Sequence, residues 1–330
     1  METGADFYTD RFFERLYTET LASARRGASE NKAEKKALLR GVMGMDKLEL
    51  IRPVNKKPGW KIIQTGNKNG YKLEEAVSEI LPGLNTPVYI LTPPGFTRTF
   101  VYIHGHGDGA EEAVRERYAD NYQRRLPVTL AREGYRVIVP ELMGFNRVVS
   151  SEFDREYERG CYNNSTKLLM FGITMTAVRV RQALDAIYYS MLDDLKPPVI
   201  GGISGGGLVT AYTAALCGGD IAGAFISCFT NTFRGSIMPL FHCVDNFIPN
   251  ILSVGEEPDI IALACPTPLL ISAGENDPIF PIAQTREAIE IIKKAYEKEN
   301  AGSAVTTDIF TGGHEISTEK LLPWVKGLQG

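Results

Sequence analysis

The sequence predicts an α/β protein: a mostly parallel central sheet with helices on both faces, preceded by an N-terminal helical extension. Three observations predict it. From Thr99 onward, apolar runs of strand length alternate with stretches of helix length. The runs are continuously apolar, as expected for parallel strands buried on both faces. Each Gly-rich or charged loop of note directly follows one of these runs, which in an open α/β sheet is where ligands bind.

Taken in order, residues 7–26 space Phe12, Phe13, Leu16, Tyr17 and Leu21 at helical intervals, predicting a helix that lays an aromatic face on the core or on a second subunit. Short strand-like runs lie near 60–64 and 87–91. "TFVYIHG" is a buried strand followed by helix-like material to Arg132, "YRVIVPE" is the next strand, and a long helix fits 170–191. "PPVIGGISGGG" runs from strand into a Gly-rich turn, "LVTAYTAALC" is a helix and "AGAFISCF" a strand. An irregular, lid-like segment covers about 230–264. "PTPLLISAGEND", a helix from "IAQTREAIEIIKKAYEKE", the strand "VTTDIFTGG" and a terminal helix complete the chain. The expected organisation is an extension, 1–60, packed on a single domain, 61–330.

The bulk numbers exclude several classes. Apolar residues make up 44% and charged residues 23% of the 330 positions, the balance of an ordinary globular chain. A net charge of -4 gives no general attraction to nucleic acid or to an anionic membrane. The basic residues between Arg25 and Lys57 are interrupted by Glu30, Glu34 and Asp46 and read as a solvated face. No stretch reads as a signal peptide or approaches the ~18 apolar residues of a membrane span, so the expected location is cytoplasmic. The five cysteines are odd in number, lack CxxC spacing and sit among apolar neighbours, as reduced core residues would.

The most specific signal is Gly202-Ile203-Ser204-Gly205-Gly206, between an apolar strand and a helix. A serine there sits on a tight, strained turn, and small residues two positions either side let strand and helix approach. The following helix N-terminus favours developing negative charge. A serine hydroxyl is a poor nucleophile at neutral pH and needs a base. Of four histidines, His314 follows the last strand with a glycine pair ahead of it, and is the candidate general base. The base needs an acid to fix its tautomer. "SAGENDPIFP" offers Asp277, held extended by Pro278, with Glu275 as fallback.

"HGHGDG" at 104–109 is open to two readings. His-x-His-x-Asp begins a zinc motif, but the histidine required next is Gly109, and only His242 and His314 remain to complete a site. No metal is therefore expected. The other reading takes the stretch as a loop acting through its main chain, with His106 or Gly107 supplying one N–H to an oxyanion and Gly205 the other. The His104 and His106 side chains are then structural. His242 and Asp245 are also read as structural, and Glu141 is given no catalytic role. Phe233, Met238, Phe241 and Phe247 are candidates for a substrate pocket, with core packing the plainer role for most of them.

With these residues placed, the chain over about 85–330 resembles the α/β-hydrolase superfamily, and within it the acetyl-xylan-esterase-like and dienelactone-hydrolase-like branch. "HGHGDG", "GISGGG", "HCVDNFIP", "PTPLLISAGENDPIFPI" and "GGHE" carry the likeness, and the order Ser204, Asp277, His314 is that of the fold. The resemblance implies a serine carboxylic-ester hydrolase without cofactor, acting on a small-molecule or carbohydrate ester, with deacetylation as its narrower form. A departure is visible in "AVRVRQALDAIYY", where Arg179 and Gln182 stand in place of an acid and an arginine. The alternatives are a prolyl-oligopeptidase-like peptidase or amidase, for which the preceding ~60 residues are short of a propeller, and a non-catalytic ligand-binding protein on the same fold. A homo-oligomer is left open, and the first 60 residues match no motif.

Overall fold

The computed structural model describes residues 9–27, 31–115, 121–151, 157–193 and 196–328. Nine strands form one sheet in the order β1-β2-β3-β5-β4-β6-β7-β8-β9. They are β1 (Lys61–Lys68), β2 (Tyr71–Leu81), β3 (Leu84–Thr92), β4 (Thr99–Ile103), β5 (Arg136–Pro140), β6 (Val199–Ile203), β7 (Gly223–Ser227), β8 (Leu269–Gly274) and β9 (Val305–Phe310). From β5 to β9 every pairing is parallel, and β1, β2, β3 and β5 pair antiparallel. The sheet is therefore mixed, with its parallel part where the sequence expects it.

All residues of β4, β5, β6, β7 and β8 are buried, which is why their sequences show no alternation. The antiparallel meander was only half legible, because β2 reads "YKLEEAVSEIL" and its glutamates mask a period-2 pattern. The signals that identify it are its turns: Asn69-Gly70 and Pro82-Gly83, with Gly70 at φ +93° and Gly83 at φ +81°.

One face of the sheet packs against α2 (Lys32–Met43), α3 (Met45–Ile51), α7 (Met175–Ser190), α8 (Gly205–Cys217) and α10 (Ile282–Lys298). The other packs against α4 (Ala110–Val114), α5 (Leu126–Arg132) and α11 (Leu321–Gly327). The long helix expected over 170–191 is two: α6 (Tyr157–Met170) ends before Gly172 at φ +66°, and Thr174 caps α7 by accepting from Ala177 N–H.

The first helix, α1 (Asp10–Gly27), buries Leu21 and donates the Tyr17 hydroxyl to Glu256. The rest of its expected aromatic face is not covered: Phe12, Phe13 and Leu16 are exposed. The stripe is wider than the surface on which the helix lies. The 230–264 segment is built from turns, 3-10 helices and the short α9 (Glu257–Ile261).

Glu257 is a cost within that segment. Its side chain is fully buried, Oε1 accepts from Asn231 N–H and Oε2 has no partner. Burial first, then neighbouring Glu256, raise its carboxyl well above the usual range. A carboxyl raised on folding contributes stability below its unfolded value that is lost as pH climbs through the folded one. Glu257→Gln should therefore melt about 2 °C or more above the parent at pH 8, with the gap closing toward pH 5, by calorimetry.

Candidate active site

The site is built at the carboxyl ends of the parallel strands. At the end of β6 the chain turns into α8 in one residue, and Ser204 adopts φ +59°, ψ −124°. A non-glycine residue in that region stores about 1–3 kcal/mol of strain. The turn is held because Ser204 N–H continues the ladder onto Ser227 O at 3.0 Å, and Leu208 N–H closes the first helical turn onto Ser204 O at 3.0 Å.

The glycines around it are required by contact. A Cβ on Gly202 or Gly206 would collide with the carbonyl of Ile103, and one on Gly206 also with His104 O. The end of β4 lies directly against the turn, with no side chain between them.

His314 follows β9, and its Nδ1 lies 2.7 Å from Asp277 Oδ2. Asp277 is itself fixed: Oδ1 accepts the N–H groups of Ile279 at 3.0 Å and Phe280 at 3.1 Å. Nδ1–H therefore donates to the carboxylate and Nε2 carries the lone pair. The fallback acid does not reach this point. Glu275 pairs instead with Arg286 at 3.3 Å and accepts from Thr311 at the surface.

The imidazole is sandwiched. Tyr122 stacks on it at 5.6 Å and 25°, and Phe280 at 5.8 Å and 16°. Cys228, Asp277 and His314 present atoms within 4.8 Å of one another, and Cys228 directly follows the Ser227 carbonyl that holds Ser204. The elbow, Asp277 and the imidazole thus lie at the same end of the sheet, after β6, β8 and β9, with β7 between the first two. Among the described residues the Ser204 hydroxyl makes no hydrogen bond to His314, whose Nδ1 is paired with Asp277.

Tyr122 is a residue that sequence reasoning missed. Besides stacking on His314, its hydroxyl donates to His106 O at 2.5 Å, and Ile316 N–H donates to Tyr122 O at 2.9 Å. It ties the loop after β4 to the loop after β9. No motif signals it, because the residue acts through position and falls in a stretch without pattern.

In the loop after β4 the two histidines face different partners. His104 is fully buried, with Nδ1 2.8 Å from Gly105 O, and it takes Leu142 N–H on Nε2 at 3.0 Å. His106 turns away from it, and its Nε2 lies 3.1 Å from Asp245 Oδ2. Glu141 accepts Ala110 N–H at 3.0 Å and Asn146 at 3.2 Å, closing the same loop from below. The main-chain N–H groups of His106, Gly107 and Gly205 have no acceptor among the described residues.

Arg179, the departure in α7, is 2% exposed and pairs with Asp245 from the 230–264 segment. It also donates to Met143 O at 3.0 Å and contacts Cys161 Sγ at 3.2 Å. Burial alone would raise the Asp245 carboxyl, but His106 and Arg179 outweigh it and hold it well below the usual range. His106, Cys161, Cys243 and Asp245 could form a four-ligand metal set by distance. The guanidinium on Asp245 and Cys161 already supplies the positive charge there.

Of the suggested pocket residues, Phe233 belongs to the main core. Phe241 is 96% exposed and lines nothing closed. Met238 and Phe247 border an open groove with Phe13, Tyr17 and Arg234. His242 accepts or donates through Nε2 with Ser236 Oγ at 3.0 Å. No helix among the described residues is long and apolar enough to cross a membrane.

No family model matches the chain, and no curated protein matches it. Solved structures do. A Bacteroides fragilis protein assigned as an acetyl xylan esterase superposes with TM-score 0.71 at 15% identity, covering 99% of this chain and 97% of that one. A methylesterase gives 0.65 at 19% identity, over 95% and 67%. A glucuronoyl esterase from Solibacter usitatus gives 0.63 at 11% identity, over 87% and 92%. The fold is that of these esterases, the α/β-hydrolase fold.

Because the elbow has no room for a Cβ, Gly206→Ala should lower stability by about 2 kcal/mol or more, read from the urea midpoint. Gly41→Ala, at an exposed position inside α2 where a Cβ meets nothing within 4 Å, serves as the comparison and should raise stability by up to about 1 kcal/mol.

Proposed function

We propose that the protein is a serine carboxylic-ester hydrolase in which Ser204 is the nucleophile, His314 the general base and Asp277 the acid that orients it. The observation that carries this reading is the strained Ser204 turn at the end of β6 together with the hydrogen-bonded Asp277–His314 pair at the ends of β8 and β9 of the same sheet. A flexible Gly-rich turn with no function has no reason to hold a non-glycine residue at φ +59°.

In the reaction, His314 Nε2 removes the Ser204 proton as Oγ attacks the ester carbonyl. Asp277 keeps Nδ1 protonated and stabilises the imidazolium that forms. The carbonyl oxygen becomes an oxyanion, and the N–H of Gly205, with that of His106 or Gly107, stabilises it. Being at the start of α8, Gly205 adds the partial positive charge of a helix N-terminus. Collapse expels the alcohol, which takes the proton from His314. Water, activated by the same imidazole, then hydrolyses the acyl-enzyme.

The neighbours are named as acetyl xylan, methyl and glucuronoyl esterases, and we take an acetylated carbohydrate or small ester as the substrate class. A peptidase or amidase is the weaker reading, because no observation favours an amide over an ester. An intracellular location remains part of the proposal.

Ser204→Ala should lower kcat on p-nitrophenyl acetate by about 10⁶-fold, and Asp277→Asn by about 10⁴-fold, with the fold retained by circular dichroism. Across acetyl to decanoyl p-nitrophenyl esters, kcat/KM should be highest for acetyl. Hydrolysis undiminished in Ser204→Ala would remove this serine from the chemistry.

A further inference from the structure

We propose that the side chain of His106, and not its main chain alone, is a catalytic residue: its Nδ1–H donates to the oxyanion formed when Ser204 attacks. This rests on the hydrolase reading above and adds a charged donor to it.

The geometry carries the inference. A Cβ built on Gly205 would lie 2.8 Å from His106 Nδ1 and 2.9 Å from its Cε1. The ring edge bearing Nδ1 therefore lies against the residue that follows the nucleophile. Any bulk at position 205 would separate the ring from the turn, which gives a reason for glycine at a position whose own φ does not require it. The opposite edge bears Nε2, 3.1 Å from Asp245 Oδ2. The backbone of the same residue is fixed separately, by Tyr122 on His106 O. Its ring is packed edge-on against Phe145 at 5.2 Å. An imidazole held at both ends, with one nitrogen turned to the nucleophile's turn, is more than a spacer.

The charge follows from what surrounds it. Asp245 Oδ2 lies against Nε2 and is shared with Arg179, and Cys161 and Cys243 complete the cluster. His242 also faces the cluster, and burial holds it below the usual imidazole range, so it adds no charge at neutral pH. Burial lowers the proton affinity of His106, but the Asp245 carboxylate and its contact with the ring prevail over burial and Arg179 and push it up to about 9. At neutral pH both ring nitrogens carry protons. Nε2 faces the Asp245 carboxylate at ion-pair distance, and Nδ1–H is left for the substrate. A cationic donor in a partly buried site stabilises an oxyanion more than it does the neutral ester carbonyl, which places the benefit in kcat.

His106→Gln tests this, because its amide reaches the Asp245 side of the ring while removing the donor at Nδ1. The inference predicts a fall in kcat of about 10²-fold, an unchanged KM and an equally weakened inhibition by phenylboronic acid, whose serine adduct is a tetrahedral anion. A raised KM with unchanged kcat, or wild-type rates and boronate affinity, would overturn it. Ser204→Ala is assayed alongside. If that variant is inactive and His106→Gln is fully active, the hydrolase reading stands and this inference falls; if Ser204→Ala retains wild-type activity, the hydrolase reading itself fails. Should His106→Gln not fold, ring-nitrogen NMR of the boronate-bound wild type decides. With four histidines to assign, an imidazolium pattern for His106 at pH 7.5 supports the inference, and a neutral ring overturns it.

Discussion

Everything at the strand ends depends on backbone meeting backbone without a side chain between. The carbonyls of Ile103 and His104 press on Gly206, and Ile103 O also on Gly202. Only under that contact can β6 pass into α8 through a single residue, and only a turn that abrupt lifts Ser204 clear of the sheet. The strain, about 1–3 kcal/mol, is offset by hydrogen bonds on both sides of the serine and by a helix and strand buried throughout their contact. The arrangement also fixes where the loop after β4 must lie, because that loop continues from the carbonyls that form the wall. The Ser204 turn and the loop after β4 are thus one packing unit.

A second constraint is electrostatic. The buried Arg179–Asp245 pair joins α7 to the 230–264 segment, and its carboxylate also meets His106. Removing one member of such a pair leaves an uncompensated charge in the interior, at about 3–5 kcal/mol. The pair therefore anchors a segment with little regular structure of its own. Through His106 it reaches the loop beside Ser204, and through Tyr122 that loop reaches His314. The site is a set of loops cross-linked by two side chains, Asp245 and Tyr122, that lie on neither the nucleophile turn nor the histidine loop.

How much of this is legible in the sequence follows from the kind of signal each part leaves. Fully buried strands leave uninterrupted apolar runs, so the parallel sheet can be read directly. A tight strand-to-helix turn leaves glycines at fixed offsets, and with four histidines in the chain His314 stands out as the candidate base. Choosing Asp277 over Glu275 needed only the proline that follows it, and the geometry pairs Asp277 with the imidazole. The rest was hidden for physical reasons. β2 carries glutamates at buried, half-buried and exposed positions alike, which breaks the alternation, and its hairpin turns are the readable mark. Arg179 looked like a departure from pattern because its partner, Asp245, lies 66 residues away, and long-range ion pairs leave no periodicity. The aromatic face of α1 meets the core only at Leu21 and Tyr17: amphipathic spacing gives the direction of a stripe but not the width of the surface that receives it. Phe241 has the same lesson, since an aromatic residue in an irregular segment is not thereby a pocket wall.

The central claim is that Ser204 is made reactive by the turn it occupies and the imidazole beside it. Labelling with an organophosphonate probe, followed by peptide mass mapping, tests that claim without assuming any substrate. The account predicts one covalent adduct per chain, located on Ser204, and none after His314→Ala. An adduct on another residue, or an unmodified Ser204 in the folded protein, would contradict it.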